Sequence, residues 1–219
     1  MPADHPNQIA PSPTQVALPN LLTMSRLALT AIVIVCLAMY DHPRNNAWAL
    51  PVAAALFIIA AITDAIDGHL ARKWNVVSVF GRVMDPFADK VLVLGSFVML
   101  AGTGFADAGG RNVAGVAAWV PVVLLARELL VTSIRGVMEG SGVSFGANWA
   151  GKAKMILQSV AVPLILVLLW LGPRDELRDP QLWVRGTMEG IVVLTVLATV
   201  ISGLPYLSAA MQAAGGRSD

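Results

Sequence analysis

Asp64, Asp67, Asp85 and Asp89 are the residues of this 219-residue chain whose type and spacing could do chemistry. On an α-helix, Asp67, Gly68 and Ala71 follow Asp64 by three, four and seven positions, so all four share one face. Asp85 and Asp89, four apart, share a face as well. Both pairs border hydrophobic runs long enough to enter a bilayer, where an ionised carboxylate is costly and marks function. Four such groups converging in a partly dry site would repel one another severely without cations among them. Hard oxygen ligands of this kind suit Mg²⁺ or Mn²⁺, with water and phosphate completing the coordination. There are enough of them for two ions clamping a phosphoryl group in transit.

The neighbouring residues sharpen that reading. Gly68 and Ala71 leave a groove on the acidic face where backbone can approach a nucleotide, and Arg72 can hold a phosphate with two parallel hydrogen bonds. Two other readings compete. Interfacial ion pairs with Arg72, Lys73, Arg82 and Lys90 would contribute little and would not require both acidic pairs to be in helical register. An acidic cation pathway in a transporter would spread carboxylates through the membrane depth, and the apolar runs hold almost none elsewhere. His69 points away from the aspartate face, and His5 and His42 read as solvent-exposed, so none of the histidines is taken as a ligand. Cys36, the only cysteine, lies in an apolar run and reads as packing.

The elements that must position these groups are membrane helices. The chain is 56% hydrophobic and 13% charged, with a mean hydropathy of +0.69, far from the composition of a water-soluble domain. No basic tract or stacking-aromatic cluster points to nucleic acid. Apolar runs predict an all-α integral membrane protein of six transmembrane helices, over about 21–40, 48–70, 85–101, 116–139, 149–171 and 184–210. Pro86 is placed in the first turn of the third. Residues 1–17 read as a mobile tail, 18–211 as the membrane catalytic domain and 212–219 as a second tail. Arg26, Arg72, Lys73, Arg82, Lys90, Arg135, Lys152, Lys154 and Arg217 fall on one side if both termini are cytoplasmic. The other side keeps only Arg44, Arg111, Arg174, Arg178 and Arg185, so the positive-inside bias puts termini and aspartates at the cytoplasmic face. Trp48, Trp119, Trp149, Trp170 and Trp183 fall near helix ends, as interfacial anchors do.

The stretch fits D-x2-D-G-x2-A-R-x8-G-x3-D-x3-D at Asp64, Asp67, Gly68, Ala71, Arg72, Gly81, Asp85 and Asp89, and so resembles the signature of the CDP-alcohol phosphotransferases. The resemblance implies a six-helix fold, usually dimeric, that transfers a phosphoalcohol group from a CDP-linked donor and releases CMP. By position, Asp64, Asp67 and Asp85 look like shared metal ligands, and Asp89 like the metal-proximal base that takes the acceptor hydroxyl proton. Gly68, Ala71 and Arg72 would line the cytidine and pyrophosphate site, with Gly81 supporting it. No activated Ser, Cys or His stands out, which favours direct attack over a covalent enzyme intermediate.

Three further segments narrow the acceptor. Pro19, Asn20, Thr23 and Arg26 resemble the PN-x2-T-x2-R opening of several branches of that family. Asn20, Thr23 and Arg26 could contact donor phosphates, while Pro19 and Asn20 could instead simply start a helix. Ala126-Arg127-Glu128 with Arg135 and Glu139, and Gly151-Lys152-Ala153-Lys154 with Gln158, resemble the branch that uses glycerol 3-phosphate, although Met155 stands where that branch has threonine. Arg127 inside a membrane helix needs an anionic partner, either Glu128, another helix or a ligand phosphate. Arg127, Arg135, Lys152 and Lys154 would then bind the acceptor phosphate, and the positive-inside rule is the alternative reason for the lysines. The resemblance thus implies phosphatidyl transfer from CDP-diacylglycerol to glycerol 3-phosphate. Phosphatidylglycerol as acceptor, as in a cardiolipin synthase, is the alternative within the family; a cation transporter or membrane scaffold is the alternative outside it.

Overall fold

The computed structural model describes residues 13–43, 45–74, 79–141, 149–172 and 182–215, with the side chains of 13–20, 67–74, 79–80, 82, 150, 182 and 213–215 excepted. Among the described residues six α-helices follow one another: α1 (Pro13–Met39), α2 (Ala49–Trp74), α3 (Val79–Leu100), α4 (Trp119–Gly140), α5 (Trp149–Leu171) and α6 (Leu182–Gly215). Among the described residues there are no strands, only isolated bridges in the connections.

Helix α1 packs on α2 and α3, α5 lies against α2 and α6, and α4 leans on α6. Phe57, Phe97, Leu37, Leu50, Leu124, Ile165, Leu166 and Met188 fill the interior. The outer faces are as apolar as the core, with Ile32, Val35, Ile58, Ile62, Leu197 and Leu204 all exposed. The buried set, by contrast, includes Thr23, Arg26, Thr30, Ser96, Lys154, Gln158, Thr195, Thr199 and Ser202. Lipid tails are as apolar as leucine, so close packing and interhelical hydrogen bonds hold such helices together. Thr195, Thr199 and Ser96 donate to carbonyls one turn back, to Ile191, Thr195 and Leu92, whereas the buried Thr30 hydroxyl makes no hydrogen bond among the described residues.

Helices α1, α2, α5 and α6 are long and apolar enough to cross a bilayer. The expected count of six is not reached on that criterion, because α3 carries Arg82, Asp85, Asp89 and Lys90, and α4 carries Arg127, Glu128, Arg135 and Glu139. Helix α3 starts at Val79 instead of Asp85, and Pro86 sits inside it, where it removes one backbone hydrogen bond without ending the helix. Helix α1 already includes residues 13–17, with Pro13 in its first turn, where a missing N–H is no loss. Pro19 and Asn20 therefore lie within α1 and do not start it. At the other end α6 continues to Gly215, past the expected start of the second tail. Residues 1–12 and 216–219 lie outside the description.

The turn after α1 and the connection from α3 to α4 interlock at one end. His42 N–H donates to the Gly104 carbonyl at 2.9 Å, and the rings of Tyr40 and Phe105 stand 4.9 Å apart. A Cβ on Gly104 would meet the Tyr40 carbonyl oxygen at 2.6 Å, so only glycine fits there. Asn112 donates to the Leu100 carbonyl and accepts from Val116 N–H, tying the exit of α3 to the approach of α4. In the same connection the backbone N–H groups of Arg111 and then Gly109 bond the Asp107 carboxylate and hold it below its usual pKa, against the opposing effect of burial.

Candidate active site

The expected site residues lie at the opposite end, where α1, α3 and α5 begin and α2, α4 and α6 finish. A cavity of about 730 Å³ opens there, lined by Asp64, Asp85 and Asp89 on one side and by Arg127, Glu128, Arg135, Lys152 and Lys154 on the other. That is ample for a small polar ligand and its anchoring groups. A second cavity, beside Tyr40 and His42, holds only about 30 Å³ and suits a single water.

The carboxylate side is organised by α1. Arg26 is 1% exposed, and its Nη1 lies 2.6 Å from Asp64 Oδ1 on α2 and 3.6 Å from Asp85 Oδ1 on α3. Thr23 Oγ1, one turn before it, donates to Asp85 Oδ1 at 2.7 Å. Two residues expected at donor phosphates thus meet the aspartates in this structure. Asp89 lines the same cavity and feels the repulsion of Asp64 and Glu128 against the attraction of Lys154 and Arg26. Gly81 is buried. Asn20 falls on α1, and Asp67, Gly68, Ala71 and Arg72 on the last turns of α2, with side chains outside the description.

The family's metal can be tested against this arrangement. Asp64 and Asp85, from different helices, already converge on one positive charge, and their donors are hard oxygens, so the chemistry of the donor set fits a divalent cation. Among the described residues no three carboxylate, thiol or imidazole groups stand close enough to hold an ion; the side chain of Asp67 is not among them.

The cationic side is a network across three helices. Arg127 on α4 donates from Nη1 to Glu128 Oε1 at 2.8 Å, from Nη2 to Ser202 Oγ at 2.8 Å and from Nε to the Thr199 carbonyl at 3.2 Å. Lys154 on α5, 4% exposed, donates to the same Glu128 Oε1. Gln158, one turn further along α5, donates to Thr199 Oγ1 at 3.0 Å. Gly203 lies against Arg127, and a Cβ added there would meet its Cγ at 3.5 Å, an ordinary contact. Arg127 therefore faces the cavity with its guanidinium already engaged. Arg135, 45% exposed, pairs loosely with Glu139, and Lys152 is exposed at the mouth. Lys90, beside Asp89, donates to Thr132 and links α3 to α4.

Sequence reasoning singled out neither the α6 hydroxyls nor the central place of Glu128. The available signal was Thr195, Thr199, Ser202 and Gly203, a polar and small stripe at helical spacing in an otherwise apolar helix.

The chain belongs to the CDP-alcohol phosphatidyltransferase family, whose model matches residues 16–203. Its members are membrane-integral and generally depend on divalent metal. The chain is 37% identical over 200 residues to the CDP-diacylglycerol–glycerol-3-phosphate 3-phosphatidyltransferase of Bacillus subtilis, covering 87% of this chain and 93% of the relative. Proteins of the same name from Salmonella choleraesuis and Rickettsia felis are 34% and 33% identical, over 90% and 88% of this chain and 96% and 94% of theirs.

Proposed function

We propose that this protein transfers the phosphatidyl group of CDP-diacylglycerol to sn-glycerol 3-phosphate, releasing CMP and forming phosphatidylglycerol phosphate for phospholipid synthesis. The observation that carries the reading is one cavity with carboxylates on one wall and Lys152, Lys154 and Arg135 on the other. Those cations suit the phosphate of a small anionic acceptor. The similarity to relatives named for this reaction supports the same choice.

In this reading Asp64, Asp67, Asp85 and Asp89 hold Mg²⁺ or Mn²⁺, as two ions. Bound metal supplies charge neutralisation on the pyrophosphate and on departing CMP. Asp89 takes the proton of the acceptor hydroxyl as its oxygen attacks the lipid-bearing phosphorus, and the bond from that phosphorus to the CMP oxygen breaks. Asn20, Gly68, Ala71, Arg72 and Gly81 line the donor site, while Thr23 and Arg26 fix the angle of Asp64 and Asp85. The cationic wall orients the acceptor so that its hydroxyl reaches the phosphorus without a covalent enzyme intermediate.

Helices α3 and α4 also cross the membrane, their charged residues turned to the cavity, with site and both termini facing the cytoplasm of a plasma or inner membrane. Residues 18–211 form the catalytic unit, two copies pair as a homodimer, and the lipid tails stay in the bilayer beside the site. The deciding experiment supplies radiolabelled CDP-diacylglycerol and Mg²⁺ with one acceptor at a time. CMP release with glycerol 3-phosphate alone is expected. Release with phosphatidylglycerol alone would make this a cardiolipin synthase, and the absence of release with any alcohol would overturn the enzymatic reading.

A further inference from the structure

We propose that Glu128 is a positioning residue for the acceptor site, its single carboxylate holding the Lys154 ammonium and the Arg127 guanidinium together at the cavity wall. This rests on the reading that an anionic acceptor binds at that wall. The two cations differ in how they are fixed. Arg127 has two further anchors on α6, at the Thr199 carbonyl and Ser202 Oγ. Lys154 has Glu128 as its only hydrogen-bond partner among the described residues, yet it is almost fully buried. A buried ammonium on a four-carbon stem has no preferred position of its own, and without a counter-charge it leaves the wall or loses its proton.

Glu128 prevents both outcomes. Two cations and one carboxylate leave one net positive charge, held on a rigid support and directed at the cavity that Asp89 also lines. Arg127 then acts as the pillar: it fixes Glu128 to α6, and Glu128 fixes Lys154. Replacing Glu128 by glutamine would leave two cations side by side in a partly dry wall, and their repulsion would displace the less anchored one, Lys154.

The test measures turnover in mixed micelles, with the acceptor and the CDP-diacylglycerol concentrations varied separately. Glu128→Gln should raise KM for glycerol 3-phosphate about tenfold or more, with KM for the donor unchanged. Lys154→Met should do the same, and the double variant should be no worse than Lys154→Met alone, because one residue acts through the other. Glu128→Asp, which keeps the charge, should recover part of the loss. If Glu128→Gln does not yield folded protein, Ser202→Ala carries the test: loosening Arg127 should raise the acceptor KM severalfold and spare the donor KM. Equal changes in both KM values, or multiplying effects in the double variant, would overturn the proposal and leave Glu128 as structural. Wild-type enzyme unable to use glycerol 3-phosphate would overturn the functional reading and this inference with it; normal wild-type turnover with an unaffected Glu128→Gln would overturn the inference alone.

Discussion

Asp89 differs from Asp64 and Asp85 in that its side chain makes no hydrogen bond or ion pair among the described residues, although it lines the cavity. A carboxylate left open in this way can accept a proton from a ligand. Asp89→Asn should therefore keep CDP-diacylglycerol binding and lose turnover by roughly 10²–10⁴-fold, the range for a general base; near-normal turnover in a steady-state assay would remove it from that role. Arg26 is the opposite case, a cation enclosed between two partly exposed carboxylates. Arg26→Met leaves Asp64 and Asp85 facing each other without it, and solvent at their roughly 40% exposed side chains moderates the penalty to about 1–2 kcal/mol. A lower midpoint of thermal unfolding in detergent is the expected result. The aspartates were legible in sequence because helical spacing alone puts them on shared faces. The Arg127–Glu128–Lys154 cluster was not, since its third member comes from another helix and its anchors from a third. Only the packing of α4, α5 and α6 makes them neighbours.

At the scale of elements, helix type followed from the long apolar runs, and α5 falls where its run predicts, at Trp149–Leu171. Helix α1 starts before the expected Leu21 because its first turns are polar and were read as tail, and α3 starts before Asp85 because Pro86 was read as its first turn, whereas the helix accommodates it. The apolar runs of α3 and α4 were read as membrane spans, but the charged residues these helices carry, several of them lining the cavity, keep both from qualifying by length and hydropathy. The far-end turns give two predictions. Gly104→Ala should lower stability by about 1–3 kcal/mol, since its Cβ would press on the Tyr40 backbone and not on a side chain that can move; an unchanged unfolding midpoint would show that the turn yields. The Asp107 carboxylate is held below its ordinary pKa by backbone N–H groups, so its stabilising effect is complete above the ordinary carboxylate range and is lost as pH falls below it. Amide-exchange protection at Gly109 and Arg111 should stay constant from neutral pH down to that range and then collapse. Loss near neutrality would contradict the sign.

For the molecule as a whole, the crossing of α3 and α4 can be tested directly, since both carry more charge than α1, α2, α5 and α6 do in their apolar stretches. With Cys36 changed to alanine, single cysteines at Ala108 and Ser141 flank α4 on its two exposed ends. An impermeant thiol reagent should reach Ala108→Cys only from outside and Ser141→Cys only from the cytoplasm; labelling of both from one side would show that α4 does not cross. Arg26 carries a consequence for biogenesis. It lies in α1, and both of its acidic partners belong to helices that follow α1 in the chain. Until α2 and α3 are made, neither acidic partner exists, so its long side chain must reach back to lipid phosphates at the near surface. Once those helices are in place the guanidinium passes from lipid to protein, and its pairs with Asp64 and Asp85 tie α2 and α3 to α1.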